Sequence, residues 1–362
     1  MSATAQSFGP GDLDLGNPDT YRDGPPYDYF EMLRREDPVH WNPPSKTDFG
    51  LGAINQGFFA ITKHEDAVRI SKNPGLWSSY EGSIFLDDRQ PEILEGMRMM
   101  LINQDPPEHN ENRRIVSRGF TPRMVQKLEE QIREKATGIV DAVIDRGECE
   151  FVSELAAELP LLLICELAGI PKEDRRKIYD WSNKMIGGED PEMSDRATQE
   201  AAAAESWVYA QDLAAQKRAA PDETLISKFV MGSDGERGVS ADQIANFFIL
   251  LEAAGSETTR NATSHAVRLF QDHPDQLALL RSDMENFLPK ATEEILRVSA
   301  PVIVMRRTAM ADTTVRGVEM KKGTKVGMFY ASLNRIPRTA PPRGRRTTRT
   351  LPLPLRDGSK RR

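Results

Sequence analysis

Glu257 and Thr258 are adjacent in the run LEAAGSETTRN (251–261), and side chains of these two types can handle protons. A carboxylate can relay a proton into a buried pocket. A threonine inside a helix can bond back to the carbonyl four residues earlier and loosen the helix there. Ala254-Gly255 lies just upstream, and glycine is costly in a helix interior because it loses more backbone entropy than alanine. Two compensations fit: a flat patch where a large planar group or a small gas molecule meets the backbone, or a close helix–helix crossing with two polar residues at the surface. His109 and Arg113 stand four residues apart, which puts both donors on one helix face suited to a carboxylate. Solvated surface charge is the plain alternative for that pair. Glu294 and Arg297 stand three apart, where an ion pair can close.

Elements able to position these residues are legible in the hydrophobic pattern. Met124, Leu128, Ile132, Ala136, Ile139 and Val143 recur every three to four residues and Gly147 supplies a stop, so 122–146 is expected to be an amphipathic helix. Residues 241–272 begin at the cap-like Ser240-Ala-Asp and run without a proline through FFILLEAAG, which predicts one long helix. Phe58 to Thr62 (FFAIT) reads as a strand leading into a helix from Asp66. LPLLLICEL (159–167) carries Glu166 and is too short to span a bilayer, so it reads as a buried helix. Asp312 to Tyr330 alternates loosely around Lys321-Lys322-Gly323, which predicts a β-hairpin there. The fold class expected is mainly α with minor β, an α+β protein without internal repeats.

Composition narrows the classes. Hydrophobic residues at 39% and charged residues at 28% describe a globular chain with no membrane span. MSATAQSFGPGDLDLGNPD lacks the basic and apolar regions of a signal peptide and is expected to be an irregular lead-in over residues 1–20. Two cysteines, Cys149 and Cys165, make no disulfide framework and fit a reducing cytoplasm. The five histidines form no H-E-x-x-H and no Cys/His zinc spacing, so no zinc or iron–sulfur site is expected.

Four motifs, in order, resemble the cytochrome P-450 family. Ala254-Gly-Ser-Glu-Thr258 is similar to its oxygen-activating helix, which reads small-Gly-x-acid-Thr. Glu294-Ile-Leu-Arg297 matches its E-x-x-R, ahead of Pro301 and MRRTA. Asp105-Pro-Pro-Glu-His109 through Arg113 resembles the helix whose His and Arg hold a haem propionate. Arg307 matches the arginine that reaches the other propionate, with Arg306 the weaker match by alignment. SRGFTPR (117–123) and WSNKMIGGEDPE (181–192) look closest to actinobacterial enzymes that hydroxylate sterol side chains and other aliphatic lipids.

The resemblance covers most of residues 20–335 and implies a P-450 fold over 21–335. It implies haem b, O2, a small hydrophobic substrate of aliphatic or sterol-like kind, and two electrons from a ferredoxin or flavodoxin with an NAD(P)H-dependent reductase. Glu257 and Thr258 would deliver protons, Ala254 and Gly255 would face the haem, His109, Arg113 and Arg307 would hold its propionates, and Glu294 and Arg297 would anchor the loop around it as a structural pair. Cytoplasmic placement follows for a soluble bacterial member.

The resemblance stops after Ala331-Ser-Leu-Asn-Arg335. The family continues to F-x-x-G-x-x-x-C, whose thiolate is the axial iron ligand. Residues 336–362 contain no cysteine, so this sequence supplies no metal ligand of that kind. Neither Cys149 nor Cys165 has the glycine-rich loop, and both are expected to be small buried or half-buried hydrophobes. The same tail carries nine Lys/Arg and one acidic residue, a balance of +8 that leaves −15 for residues 1–335. Its composition cannot build a core and suits an out-of-frame or truncated product that lacks the ligand loop and the helix after it. An inactive remnant without thiolate-ligated haem is then the competing function. A nucleic-acid-binding arm is the third reading, opposed by the tail's lack of aromatic residues for base stacking.

Overall fold

A computed structural model describes residues 8–45, 56–118, 120, 122–186, 195–231 and 239–335. The tail 336–362, the first seven residues of the lead-in and part of each phrase 117–123 and 181–192 lie outside them. Helices run in the order α1 (Tyr27–Glu36), α2 (His64–Ser71), α3 (Pro91–Arg98), α4 (Glu108–Arg118), α5 (Pro122–Ile144), α6 (Glu158–Ala168) and α7 (Arg175–Ile186). They continue with α8 (Arg196–Ala219), α9 (Leu225–Met231), α10 (Ala241–Asp272), α11 (Pro274–Ser282), α12 (Met284–Ser299) and α13 (Tyr330–Leu333). Among the described residues, seven short strands accompany them: β1 (Val39–Asn42), β2 (Phe58–Ile61), β3 (Trp77–Ser78), β4 (Val304–Ala309), β5 (Thr313–Val315), β6 (Val318–Met320) and β7 (Lys325–Phe329). The chain divides into one unit of residues 1–45, 55–77 and 262–362 and another of 46–54 and 78–261, so α10 contributes to both.

The first unit is built on a five-stranded sheet of order β1-β2-β7-β4-β3. β2 and β7 are parallel, while β1–β2 and β4–β7 are antiparallel. All five residues of β7 are buried, which accounts for its apolar run VGMF: a central strand covered on both faces has no polar side. Ile61, Ile70, Trp77, Val326, Met328 and Leu333 pack together around it. The FFAIT strand and the helix after it occur as expected, in β2 and α2. Residues of the lead-in are tied down rather than loose: Leu15 is buried, its N–H donates to Asn42 Oδ1 at 2.7 Å, and its carbonyl accepts from Tyr21 Oη at 2.9 Å.

The hairpin expected around Lys321–Gly323 is not there. The actual hairpin is β5–β6, turning at Arg316-Gly317, both at positive φ as a two-residue reverse turn requires. Lys321–Gly323 instead carries the chain out of that pair and into β7 of the larger sheet. Gly323 N–H donates to the Ala309 carbonyl at 2.7 Å, which fixes the change of partner.

The second unit is helical. Its largest apolar cluster joins Leu161 and Cys165 of α6, Ile178 and Trp181 of α7, Leu213 of α8, Phe229 of α9 and Phe248 of α10. The buried helix expected at 159–167 is α6, stopped by Gly169 at φ 76, whose N–H and that of Ile170 satisfy the carbonyls of Glu166 and Cys165. α10 has the bounds predicted for it. Its start is a capping box: Ser240 Oγ accepts from Gln243 N–H at 3.2 Å, and Gln243 Oε1 accepts from Ser240 N–H at 2.9 Å.

Candidate active site

Residues 254–258 lie mid-way along α10. Thr258 Oγ1 donates to the Ala254 carbonyl at 2.7 Å, the back-bond anticipated from its position. That contact spends the carbonyl's second lone pair and holds the hydroxyl against the turn beside Ala254, whose side chain is exposed. Gly255 does something different. A Cβ there would stand 3.0 Å from Ile164 Cδ1 of α6, so the missing side chain is the space into which α6 packs. For Gly255 the close helix crossing, and not an open flat patch, explains the residue; the exposed surface belongs to Ala254.

Glu257 is not free in solvent. Its carboxylate accepts from Arg260 and, at 2.9 Å on Oε1, from Asn261 Nδ2. Arg260 in turn donates through Nη1 to Asn183 Oδ1 of α7 at 2.9 Å. Sequence reading passed over Arg260, Asn261 and Asn183. The first two were discoverable, since they stand three and four residues after Glu257 on one helix face.

Earlier in the same unit, α4 carries His109 and Arg113 one turn apart. His109 Nδ1 lies 3.4 Å from Asn110 Oδ1, and Arg113 is exposed with no polar partner among the described residues. In the other unit, the Glu294–Arg297 pair of α12 is closed and two-pronged: Nε to Oε2 and Nη2 to Oε1, both 2.7 Å. Arg297 Nη1 also donates to the Asn334 carbonyl at 2.7 Å, so the pair fixes the chain just after α13. The hydrogen bonds and charge of Glu294 raise the Arg297 pKa further above its ordinary value, although desolvation opposes them. On β4, Arg306 is buried with Nε 3.3 Å from Thr308 Oγ1, while Arg307 is half-buried on the opposite face. Of the two, Arg307 is the one whose face meets solvent.

For a haem, these groups fit two of three requirements. Arg113 presents an uncommitted guanidinium one turn from His109, a pair suited to a carboxylate, and the exposed turn at Ala254 beside the Thr258 hydroxyl offers a surface for a planar group. The axial thiolate is not met. Cys165 is buried in α6 and its thiol is pushed up to about 12, by burial first, so it stays neutral. Cys149 is exposed, contrary to the buried or half-buried place expected of it, because it lies in the polar turn after Gly147. Residues 336–362 hold no cysteine. No step at the iron therefore follows from these residues. No described helix is long and apolar enough to cross a membrane.

Comparison with known proteins identifies the context. The cytochrome P450 family profile matches residues 159–339. The steroid C26-monooxygenase of Rhodococcus jostii (strain RHA1) is 39% identical over 337 residues, covering 92% of this chain and 70% of that protein. The methyl-branched lipid omega-hydroxylase of Mycobacterium tuberculosis (strain ATCC 25618 / H37Rv) is also 39% identical over 337 residues, covering 90% of this chain and 76% of that one. Among solved structures, a Mycobacterium marinum cytochrome P450 in complex with pseudoionone superposes with a TM-score of 0.81 at 31% identity, over 92% of this chain and 81% of the other. An α-rich fold of this topology, matched over nine-tenths of its length by monooxygenases, makes the chain a member of the cytochrome P450 family, whose cofactor is haem.

Proposed function

We propose that this chain serves a hydroxylase of steroid side chains or methyl-branched acyl chains, acting at the chain end. The carrying observation is the pair of relatives at 39% identity: one is named for C26 of a steroid, the other for the omega position of a methyl-branched lipid. Both names describe oxygen insertion at the end of a branched aliphatic chain, so the shared substrate feature is that terminus on a hydrophobic body. Haem b supplies oxygen activation when bound, and the reading takes a ferredoxin or flavodoxin, served by an NAD(P)H-dependent reductase, as the electron donor in the cytoplasm.

The chain's own residues have these roles in that reading. Glu257 relays a proton once its carboxylate is released from Arg260 and Asn261, and Thr258 Oγ1 passes one on after leaving the Ala254 carbonyl. Arg113 and His109 pair with a carboxylate of the cofactor. Glu294 and Arg297 hold the Asn334 carbonyl and do no chemistry.

The test is turnover. Haem-loaded protein with ferredoxin, reductase, NADPH and isotopically labelled O2 is given a steroid bearing an intact side chain, and separately a methyl-branched fatty acid. One labelled oxygen at the terminal carbon is expected. Protein that binds haem one-to-one and accepts electrons yet forms no such product overturns the assignment in favour of a lipid-holding scaffold without turnover.

A further inference from the structure

Six residues before Thr258, on another face of α10, Glu252 is 1% exposed. It lies where α10 meets α7 and α8. Ser206 of α8 donates to Glu252 Oε2 at 2.8 Å, and Ser182 of α7 donates to the Glu252 main-chain carbonyl at 3.4 Å. The second carboxyl oxygen, Oε1, is buried and has no hydrogen-bond partner among the described residues. No ion pair reaches Glu252 among the described residues.

The charged and titratable groups on the surrounding elements are engaged with one another. Arg175, at the start of α7, faces Glu166 of α6 at 3.9 Å, and Lys135 of α5 holds the same carboxylate at 2.5 Å. Arg260, two turns along α10, binds Glu257 and Asn183. Glu205 of α8 accepts from Trp181 Nε1 at 2.7 Å. Cys165 of α6 is a neutral thiol. Tyr209 of α8, packed against Trp181 and Phe248, donates to Asp174 at 3.0 Å, and the apolar cluster of α6 to α10 adjoins these groups.

An unpaired ion in such a place is far costlier than a neutral acid with one unsatisfied oxygen. Burial accordingly raises the Glu252 pKa from 4.5 to about 8, against the smaller opposing pull of Ser206.

We propose that Glu252 occupies this seam as a neutral carboxylic acid and makes the packing of α7 and α8 onto α10 a proton-controlled catch. When the seam is closed, the acid keeps its proton. When the seam opens, water reaches the carboxyl, it ionises, and the open form is stabilised. The closed form thus holds a proton that the open form releases, so opening grows about tenfold per pH unit between 4.5 and about 8 and is level on either side. The catch works through the chain's own residues and stands whether or not the hydroxylase reading does.

Hydrogen exchange on the full chain tests it. Amides of α7 and α8 are followed from pH 5.5 to 7.5, corrected for intrinsic exchange, in the parent protein and in Glu252→Gln. The expected result is a rise in opening approaching a hundredfold over those two pH units in the parent and a nearly level profile in the variant. A level profile in the parent, or the same slope in both proteins, overturns the proposal. Infrared spectroscopy gives a second reading independent of the variant's folding: a protonated-carboxyl band at pH 6 that titrates near 8 in the parent, with its midpoint moved to higher pH in Ser206→Ala because the bond Ser206 gives the ion is gone. A parent spectrum without that band, or a midpoint indifferent to Ser206, also overturns it.

Discussion

Replacing Arg297 and Glu294 separately and together measures how the α12 pair holds the first unit. Glu294 is 5% exposed and receives both of its hydrogen bonds from Arg297 at 2.7 Å. Arg297→Met removes both, strands a buried carboxylate and leaves the Asn334 carbonyl without its donor, which together cost about 4–5 kcal/mol. Glu294→Leu leaves a guanidinium whose side chain is 29% exposed and still bonded to Asn334, so water can solvate it and the cost is about 1–2 kcal/mol. The double variant replaces the pair by apolar groups of similar size and loses about 2 kcal/mol, mostly the Asn334 contact. Summed, the singles therefore exceed the double by about 3–5 kcal/mol, a large share of the roughly 5–15 kcal/mol that holds a folded domain. Urea unfolding followed by both circular dichroism and tryptophan fluorescence reads these values, with coincident curves as the check on two-state behaviour. Additivity within about 0.5 kcal/mol, or a Glu294→Leu cost equal to that of Arg297→Met, refutes the reasoning.

Three further outcomes follow from single contacts. Gly255→Ala changes the melting free energy by no more than about 1 kcal/mol, since the gain in helix propensity offsets a Cβ 3.0 Å from the movable tip of Ile164; Gly255→Val costs about 1–3 kcal/mol and is partly rescued by Ile164→Ala, read by thermal unfolding. One thiol, Cys149, reacts with a thiol reagent at pH 8 in native protein, whereas Cys165, buried and pushed up to about 12, reacts only after unfolding. Glu252 has its folded pKa raised, so its contribution is fully present below 4.5 and is lost as pH climbs towards about 8; the parent's unfolding free energy falls by about 3 kcal/mol more than that of Glu252→Gln between pH 4.5 and 7.

Local signals carried much of this architecture. The start of α10 was readable because Ser240 and Gln243 form a reciprocal cap, and the end because the chain meets His273-Pro274. The Glu294–Arg297 pair was readable because helix spacing alone brings the two side chains together. The hairpin at 312–330 was misplaced for a tertiary reason: β6 and β7 are neighbours in sequence but pair in different sheets, and no local pattern says which partner a strand will find. Gly255 was ambiguous because its meaning depends on Ile164, ninety-odd residues away in sequence. Cys149 was expected inside on the habits of its residue type, which the polar turn Gly147–Glu150 overrode. Glu252 passed unnoticed in the run FFILLEAAG, since a single acid in an apolar helix looks like a surface position until α7 and α8 are seen to cover it.

The measurement closest to the central claim is an optical titration of haem into the purified chain, run beside Arg113→Ala. Arg113 of α4 is exposed, and the proposed reading assigns its guanidinium to a haem propionate. One haem per chain is predicted, bound about tenfold more weakly by the variant, the lower end of what a hydrogen bond to a charged group contributes. No stoichiometric binding, or equal affinity in both proteins, contradicts the account.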